Sequence, residues 1–288
     1  MTVVYFYYNK KFEGEYGDAR LCYVYLYKDN MDNIELIEPV LYKNFKDIIK
    51  QIDLSKEKEQ ILDPRLILDK KDDITIYYSA HNEVINTNAS LAIVGICPGY
   101  RQMLKSFQTV QESKYNDLKT LEICKEDSRL FGATKKNLIN MMIELGFEYT
   151  ISSNGDIDIF EIYKSHLHTT SLIRYPVMKN GKNYDGRNPD LYKNDFLYNI
   201  AKKSIEFELS KLHNLQLIIP LGSKVEEFIL KLFNQDNRIK AKVLRGFPHP
   251  SGLNAHRNII FEKNKESMQL QVSKYLEDKT PSLTPVRT

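Results

Sequence analysis

The chain has 288 residues, 42% of them hydrophobic, and a formal net charge of +3. That length can bury a full core in one large domain, or in one domain with an appendage. With 41 basic against 38 acidic residues there is no global basic field, so any nucleic-acid contact has to come from local patches. No run of about 18 uncharged apolar residues is available to span a membrane. The first residues lack the basic region and small-residue cleavage site of a secretory leader, and the expectation is a cytoplasmic protein. Three widely spaced cysteines, Cys22, Cys97 and Cys124, argue against a disulfide framework or a four-thiolate cluster.

Residues 1–85 are rich in tyrosine, and the aliphatic-aromatic runs at 3–8, 21–27 and 74–78 read as strands. Between the last two, the charged stretch 54–60 reads as a helix end or a loop. A tyrosine stripe of this kind is either a surface for stacking bases or the packed face of a small sheet.

From about residue 90 strands and helices alternate. A short buried strand at 91–95 is followed by a helix at 134–145, which carries Leu138, Met141, Met142 and Leu145 on one face and stops at Gly146. A strand at 166–173 comes next. A long helix then opens at Asn188-Pro189 and runs to about 212, with Phe196, Leu197, Ile200, Ile205 and Leu209 as its apolar positions. The remainder reads as strand 215–220, helix 223–233, strand 241–246 and a closing helix 262–276. Four strands separated by helices imply a parallel sheet covered on both faces. The expected α/β fold is therefore a three-layer α/β/α sandwich with a central four-stranded parallel sheet over residues 86–277. An N-terminal strand-rich extension (1–85) precedes it, and a disordered tail with Pro281 and Pro285 (278–288) follows. In such sheets the ligand crevice lies at the carboxyl ends of the strands.

Two loops stand at strand ends. Gly95-Ile96-Cys97-Pro98-Gly99 follows the first core strand, and Phe247-Pro248-His249-Pro250-Ser251-Gly252-Leu253-Asn254-Ala255-His256-Arg257 follows the last. Together they resemble the two signature loops of the uracil-DNA glycosylase superfamily, Gly-x-x-Pro and His-Pro-Ser-x-Leu-x-x-x-Arg. The second is matched in register at its His, Pro, Ser, Leu and Arg. The resemblance implies a monofunctional DNA glycosylase, acting on duplex DNA with a flipped base and needing no cofactor or metal. A base inside the stack is out of reach, and extruding it costs roughly a few kcal/mol. His249 would donate a hydrogen bond to the pyrimidine oxygen that gains charge as the glycosidic bond breaks. Leu253 would fill the space the base leaves. Some branches of the superfamily hold an iron–sulfur cluster on four cysteines, which this chain does not possess.

The same resemblance implies further site residues. Gly95, Ile96, Pro98 and Gly99 would line the base pocket. Phe131-Gly132 resembles a step that places a ring over the flipped base; the alternative is a core phenylalanine. In the segment 169–176, registering Arg174 on the family's basic residue puts Ser171 where an Asn usually reads uracil, and a one-residue slip would choose Thr170. Ser251, Asn254 and Arg257 on the second loop, with Arg101 and the loop residues Lys179, Lys182 and Arg187, are candidate DNA contacts. His166 and His168, two apart on one strand face, lack a third metal ligand at suitable spacing.

Cys97 is the sharpest departure, because the family often has Asp or Asn there to orient the attacking water, and a thiol is an unlikely base. Glu112, Glu122, Glu126 and Asp127 are the candidate replacements. Small side chains at Cys97 and Ser171 suggest a roomier pocket than uracil needs. The leading expectation is excision of a modified pyrimidine, such as glucosylated hydroxymethylcytosine in phage DNA, by a monomeric protein acting in antiviral defence. The alternatives are a repair uracil-DNA glycosylase and a catalytically silent protein that binds a modified base or abasic DNA.

Overall fold

A computed structural model describes residues 34–36, 39–151, 155–235 and 241–277. The expected strands at 3–8 and 21–27, and the tail at 278–288, lie outside the described residues. The elements are β1 (Ile34–Leu36), α1 (Pro39–Gln51), α2 (Lys58–Ile61), β2 (Ile67–Lys71), β3 (Ile74–Tyr77), β4 (Val84–Asn86), β5 (Leu91–Gly95), α3 (Tyr100–Glu112), α4 (Asp117–Ser128) and α5 (Gly132–Glu144). They continue as β6 (Thr150–Ile151), β7 (Ile157–Asp158), β8 (Leu167–Ser171), β9 (Val177–Lys179), β10 (Lys182–Asn183), α6 (Asp195–Lys211), β11 (Leu217–Pro220), α7 (Ser223–Gln235), β12 (Lys242–Val243) and α8 (Arg257–Glu277).

The central sheet has the order β12-β11-β5-β8, and all three pairings are parallel. Its inner strands are continuous apolar runs because helices cover both faces. Alternation then sorts the side chains. Ala92, Val94 and Ile218 join a core with Leu197, Ala201, Ile205 and Leu209 of α6 and Val225, Phe228 and Ile229 of α7. Leu91, Ile93, Leu217 and Ile219 point the other way, onto Leu138, Met141 and Met142 of α5 and Phe261, Met268 and Val272 of α8. This is the three-layer sandwich the sequence implied.

Three boundaries differ from expectation. The long helix starts at Asp195, not at 188, because Asn194 caps it by accepting the Leu197 N–H at 3.0 Å. Asp190 meanwhile holds a turn, accepting the Tyr192 N–H at 2.9 Å. The closing helix starts five residues early, at Arg257; Ile259 and Ile260 in its first turn are exposed, which hides the apolar face from a periodicity reading. The last strand shrinks to Lys242–Val243. Helices α3 and α4 were not anticipated, although Met103, Phe107 and Val110 bury one face of α3 at helical spacing.

Within the expected extension, β3 is a strand as read and the stretch 54–60 is a turn leading into α2. A second sheet, antiparallel with the order β10-β9-β3-β2, joins residues 67–77 to residues 177–183. A third core packs Tyr42 and Ile49 of α1 and Tyr78 against Met103 and Phe107 of α3 and Leu121 and Cys124 of α4. Tyr78 stacks on Phe45, so these tyrosines are packing groups.

A buried polar network lies where that region meets β8. Glu208 of α6 accepts from Arg174 Nε at 3.0 Å and pairs with His168 Nε2 at 2.9 Å. Asn82 donates to the Arg174 carbonyl, Tyr175 to Glu83, and Lys125 to the Val84 carbonyl. Burial would raise Glu208, but the hydrogen bond from His168 and the Arg174 charge outweigh it and hold the carboxyl at about 2. Burial pushes His168 down to about 4, so it is neutral.

Candidate active site

β5 sits between β11 and β8, so the chain leaves it first to one side and later returns on the other, and a crevice opens at the strand ends. Both loops singled out in the sequence lie there. The first continues the ladder beyond β5: Leu172 N–H donates to Gly95 O and Ile173 N–H to Ile96 O, both at 2.9 Å. Gly95 stands opposite Ser171, and a Cβ on Gly95 would lie 3.5 Å from the Ser171 hydroxyl. Ser171 and Thr170 are both buried, and the Thr170 hydroxyl has no hydrogen-bond partner among the described residues.

Beyond Pro98 the chain turns into α3. Gly99 N–H donates to Gln102 Oε1, and the Gln102 amide donates to the carbonyls of Ser128 and Arg129. Tyr100 N–H donates to Asn183 Oδ1 at 2.9 Å, and the Asn183 side chain lies 3.4 Å from where a Cβ on Gly99 would be. Arg101 is exposed at this helix start, and Lys182 is exposed on β10 beside Asn183. Lys58, which sequence reasoning passed over, sits 4.9 Å from the Tyr100 ring centre and donates to the Gly181 carbonyl.

The Cys97 thiol donates to the Tyr184 carbonyl at 3.5 Å. Burial, with a contribution from Asp185, pushes it up to about 12, so it is a neutral thiol and no base for water. The four carboxylates proposed to replace it lie on α3 and α4. Glu122 is buried and paired with Lys119, Glu126 pairs with Lys164, and Asp127 with Lys105 and the Thr109 hydroxyl. Glu112 is the last residue of α3, about 18 Å along the helix from the loop that starts it.

The second loop is braced from within. Ser251 N–H donates to His249 Nδ1 at 3.1 Å, so Nε2 carries the proton of the neutral ring and is its free donor. Burial, then the Arg187 charge, lowers His249 and keeps it neutral. The Asn254 amide donates to the His249 carbonyl, Arg257 Nη1 to the Ser251 carbonyl, and the Ser251 hydroxyl accepts the Leu253 N–H. Asn137 of α5 donates to the Pro250 carbonyl at 2.8 Å. These contacts hold His249 while leaving Leu253 97% exposed at the loop tip.

Two positions that sequence reasoning missed make the close approaches possible. Gly222, at φ +97°, lies under His249; a Cβ there would be 3.1 Å from the His249 Cβ. Gly186, at φ +85°, lies against Ile96, and a Cβ there would be 3.0 Å from its Cδ1. Positive φ after a strand or in a turn is the signal that a glycine at these positions carries. Phe131 caps α5, is half-buried and belongs to none of the three apolar cores. Its neighbour Ala133 touches the second loop, 3.3 Å from a Cβ built on Gly252.

Lys179, like Arg257, is a candidate DNA contact already committed within the protein: it donates to Asn188 Oδ1 and pairs with Asp73. Arg187 is exposed. His168 is committed to Glu208, and among the described residues no group of three or more His, Cys, Asp or Glu side chains could hold a metal. No helix among the described residues is long and apolar enough to cross a membrane.

No family model matches the chain. It is 35% identical over 237 residues to the uncharacterized protein YoxB of Bacillus subtilis (strain 168), an alignment covering 81% of this chain and 92% of that protein. The crystal structure of SMUG2 from Pedobacter heparinus aligns over 80% of this chain and 98% of that one, at 16% identity and a TM-score of 0.41. At those values the likeness bears on neither fold nor activity.

Proposed function

The chain belongs to the family of the Bacillus subtilis protein YoxB, and we propose that it is a monofunctional DNA glycosylase that flips a modified pyrimidine out of duplex DNA and hydrolyses its glycosidic bond. One observation carries the reading. A neutral imidazole, its Nδ1 occupied by a backbone N–H, presents Nε2–H as a fixed donor over a glycine at the mouth of a parallel sheet. Such a group stabilises negative charge on a leaving base without reorganising as the charge appears. Leu253, exposed at the tip of the same loop, supplies the wedge. Arg101, Lys182 and Arg187, exposed on segments next to the two loops, would serve as phosphate contacts.

The pocket lacks an amide reader, since a thiol and a hydroxyl stand at Cys97 and Ser171, and this favours a bulkier base than uracil. A cavity of about 250 Å³ is lined by Arg129, Leu130, Phe160, Lys135, Lys164 and the carboxylates Glu126, Asp127, Asp158 and Glu161, of which Glu126 and Asp158 pair with those two lysines and Asp127 with Lys105. Charged groups of both signs beside an aromatic ring suit sugar hydroxyls, and with the small side chains at Cys97 and Ser171 we take glucosylated hydroxymethylcytosine in phage DNA as the substrate and antiviral defence as the role. The deciding experiment incubates the protein with uracil-containing, unmodified and glucosylated phage DNA, scoring abasic sites and released base by mass spectrometry. Release of the modified base is expected. Release of uracil alone would return the protein to repair, and tight binding without release would make it a silent reader.

A further inference from the structure

We propose that Asp185 is the general base that activates the attacking water, the role Cys97 cannot fill; the inference rests on the glycosylase reading above and names the missing base of that site. The segment 184–187 lies across the Gly95–Gly99 loop. On one side of Asp185 the Tyr184 carbonyl accepts the Cys97 thiol, and on the other Gly186 lies against Ile96. The segment is anchored: Tyr184 N–H donates to Val177 O and its hydroxyl to Pro189 O. Asp185 itself is exposed, so water reaches it.

The charges accord with that geometry. After burial, the Asp185 charge is the carboxylate influence on the Cys97 thiol, and two residues on, the Arg187 charge reaches His249. A carboxylate near the first loop and a donor on the second thus flank one crevice. Asp185 Oδ1 accepts the Arg187 N–H at 3.0 Å, which fixes the carboxylate and leaves Oδ2 for water. The four carboxylates considered from sequence are remote or already paired.

The step balances without a cofactor. The water oxygen bonds to C1′ of the flipped nucleotide as the C1′–N bond breaks. The bonding pair leaves on the base, where His249 Nε2–H stabilises it. The water proton passes to Asp185 and from there to the departing base or to solvent, giving an abasic sugar with a C1′ hydroxyl and the free base. No group is oxidised or reduced.

The test compares D185N and D185A with the parent in single-turnover excision. D185N retains an amide oxygen to accept the Arg187 N–H, so the turn survives while the base is lost. Excision should fall by about 100-fold or more in both, at unchanged DNA affinity. Added formate should restore part of the D185A rate but not that of D185N. Excision by D185N within about threefold of the parent, or equal losses of rate and binding, would overturn the inference and leave the glycosylase reading standing. A parent that releases no base from any of the DNAs would overturn both.

Discussion

His249 is the residue on which the chemistry turns, and its role separates binding from rate. If Nε2–H stabilises the leaving base only as charge develops, H249A should slow excision by on the order of 100-fold while DNA affinity holds. Single-turnover kinetics beside anisotropy titrations would measure both, and equal losses would make His249 a structural residue. Leu253, almost fully exposed at the loop tip, has a different signature. L253A should impair excision from duplex DNA more than from single strands, since only the duplex has a gap to fill. Equal defects on the two substrates would remove it from that role. Gly222 connects backbone to site. A Cβ in its positive-φ conformation meets the His249 Cβ, so G222A should lower stability by about 1–2 kcal/mol and reduce excision with it. Thermal melts with rates on the same variant would show this; an unchanged Tm would mean the loop shifts freely.

At the scale of elements, the site is assembled from the ends of β5, β8 and β11, the start of α3 and the loops after β10 and β12. The cationic side chains around it divide into two kinds. Arg101, Lys182 and Arg187 are exposed, whereas Lys179 and Arg257 are committed to Asn188 and to the Ser251 carbonyl. Neutralising any of the first three should reduce the slope of log affinity against log salt by about one unit. Neutralising Arg257 should instead loosen the His249 loop, lowering rate more than slope. Anisotropy titrations over a salt series would separate the two groups, and a slope indifferent to all three exposed cations would move the DNA to another surface.

For the whole molecule, the buried network between residues 79–86, α4, β8 and α6 sets a pH dependence. Burial pushes His168 to about 4 and His81 to about 3, below the roughly 6.5 of an unfolded histidine. As pH falls from about 6.5 the unfolded chain takes up protons that the fold refuses, so stability declines toward pH 4. Glu208, held at about 2, adds a loss that begins below about 4.5 and completes near 2. Lys125, pushed down to about 7 by burial, acts on the alkaline side: the unfolded chain holds more protons above pH 7, so stability goes on rising there. Urea midpoints from pH 4 to 8 should therefore increase throughout, and above about pH 8.5 the buried thiols Cys97 and Cys124, which hold their protons in the fold, oppose the rise. A flat profile between pH 6.5 and 4 would mean that the two histidines titrate normally in the fold.

The sequence by itself determined the central strands at 91–95 and 215–220, the alternation of the parallel strands with α5, α6, α7 and α8, and both crevice loops, but not α3 or α4. Strands covered on both faces are short apolar runs, and rigid loops at their ends are written in Gly, Pro and His within a few residues. It also marked Cys97 as unfit for a base. The start of α6 escaped because Pro189 offers a helix-opening signal while the cap is Asn194. Only the tertiary structure decided which side chains are free. Asn254 and Arg257 brace their own loop, Gly222 passes beneath His249, and the segment bearing Asp185 crosses the Cys97 loop through a contact 87 residues apart in the chain. Local pattern records what a residue needs from its own strand or turn. It holds no record of which distant segment closes over it, because that contact is fixed by how two cores and an antiparallel sheet pack together, and the carboxylate proposed to activate water is known only from that packing.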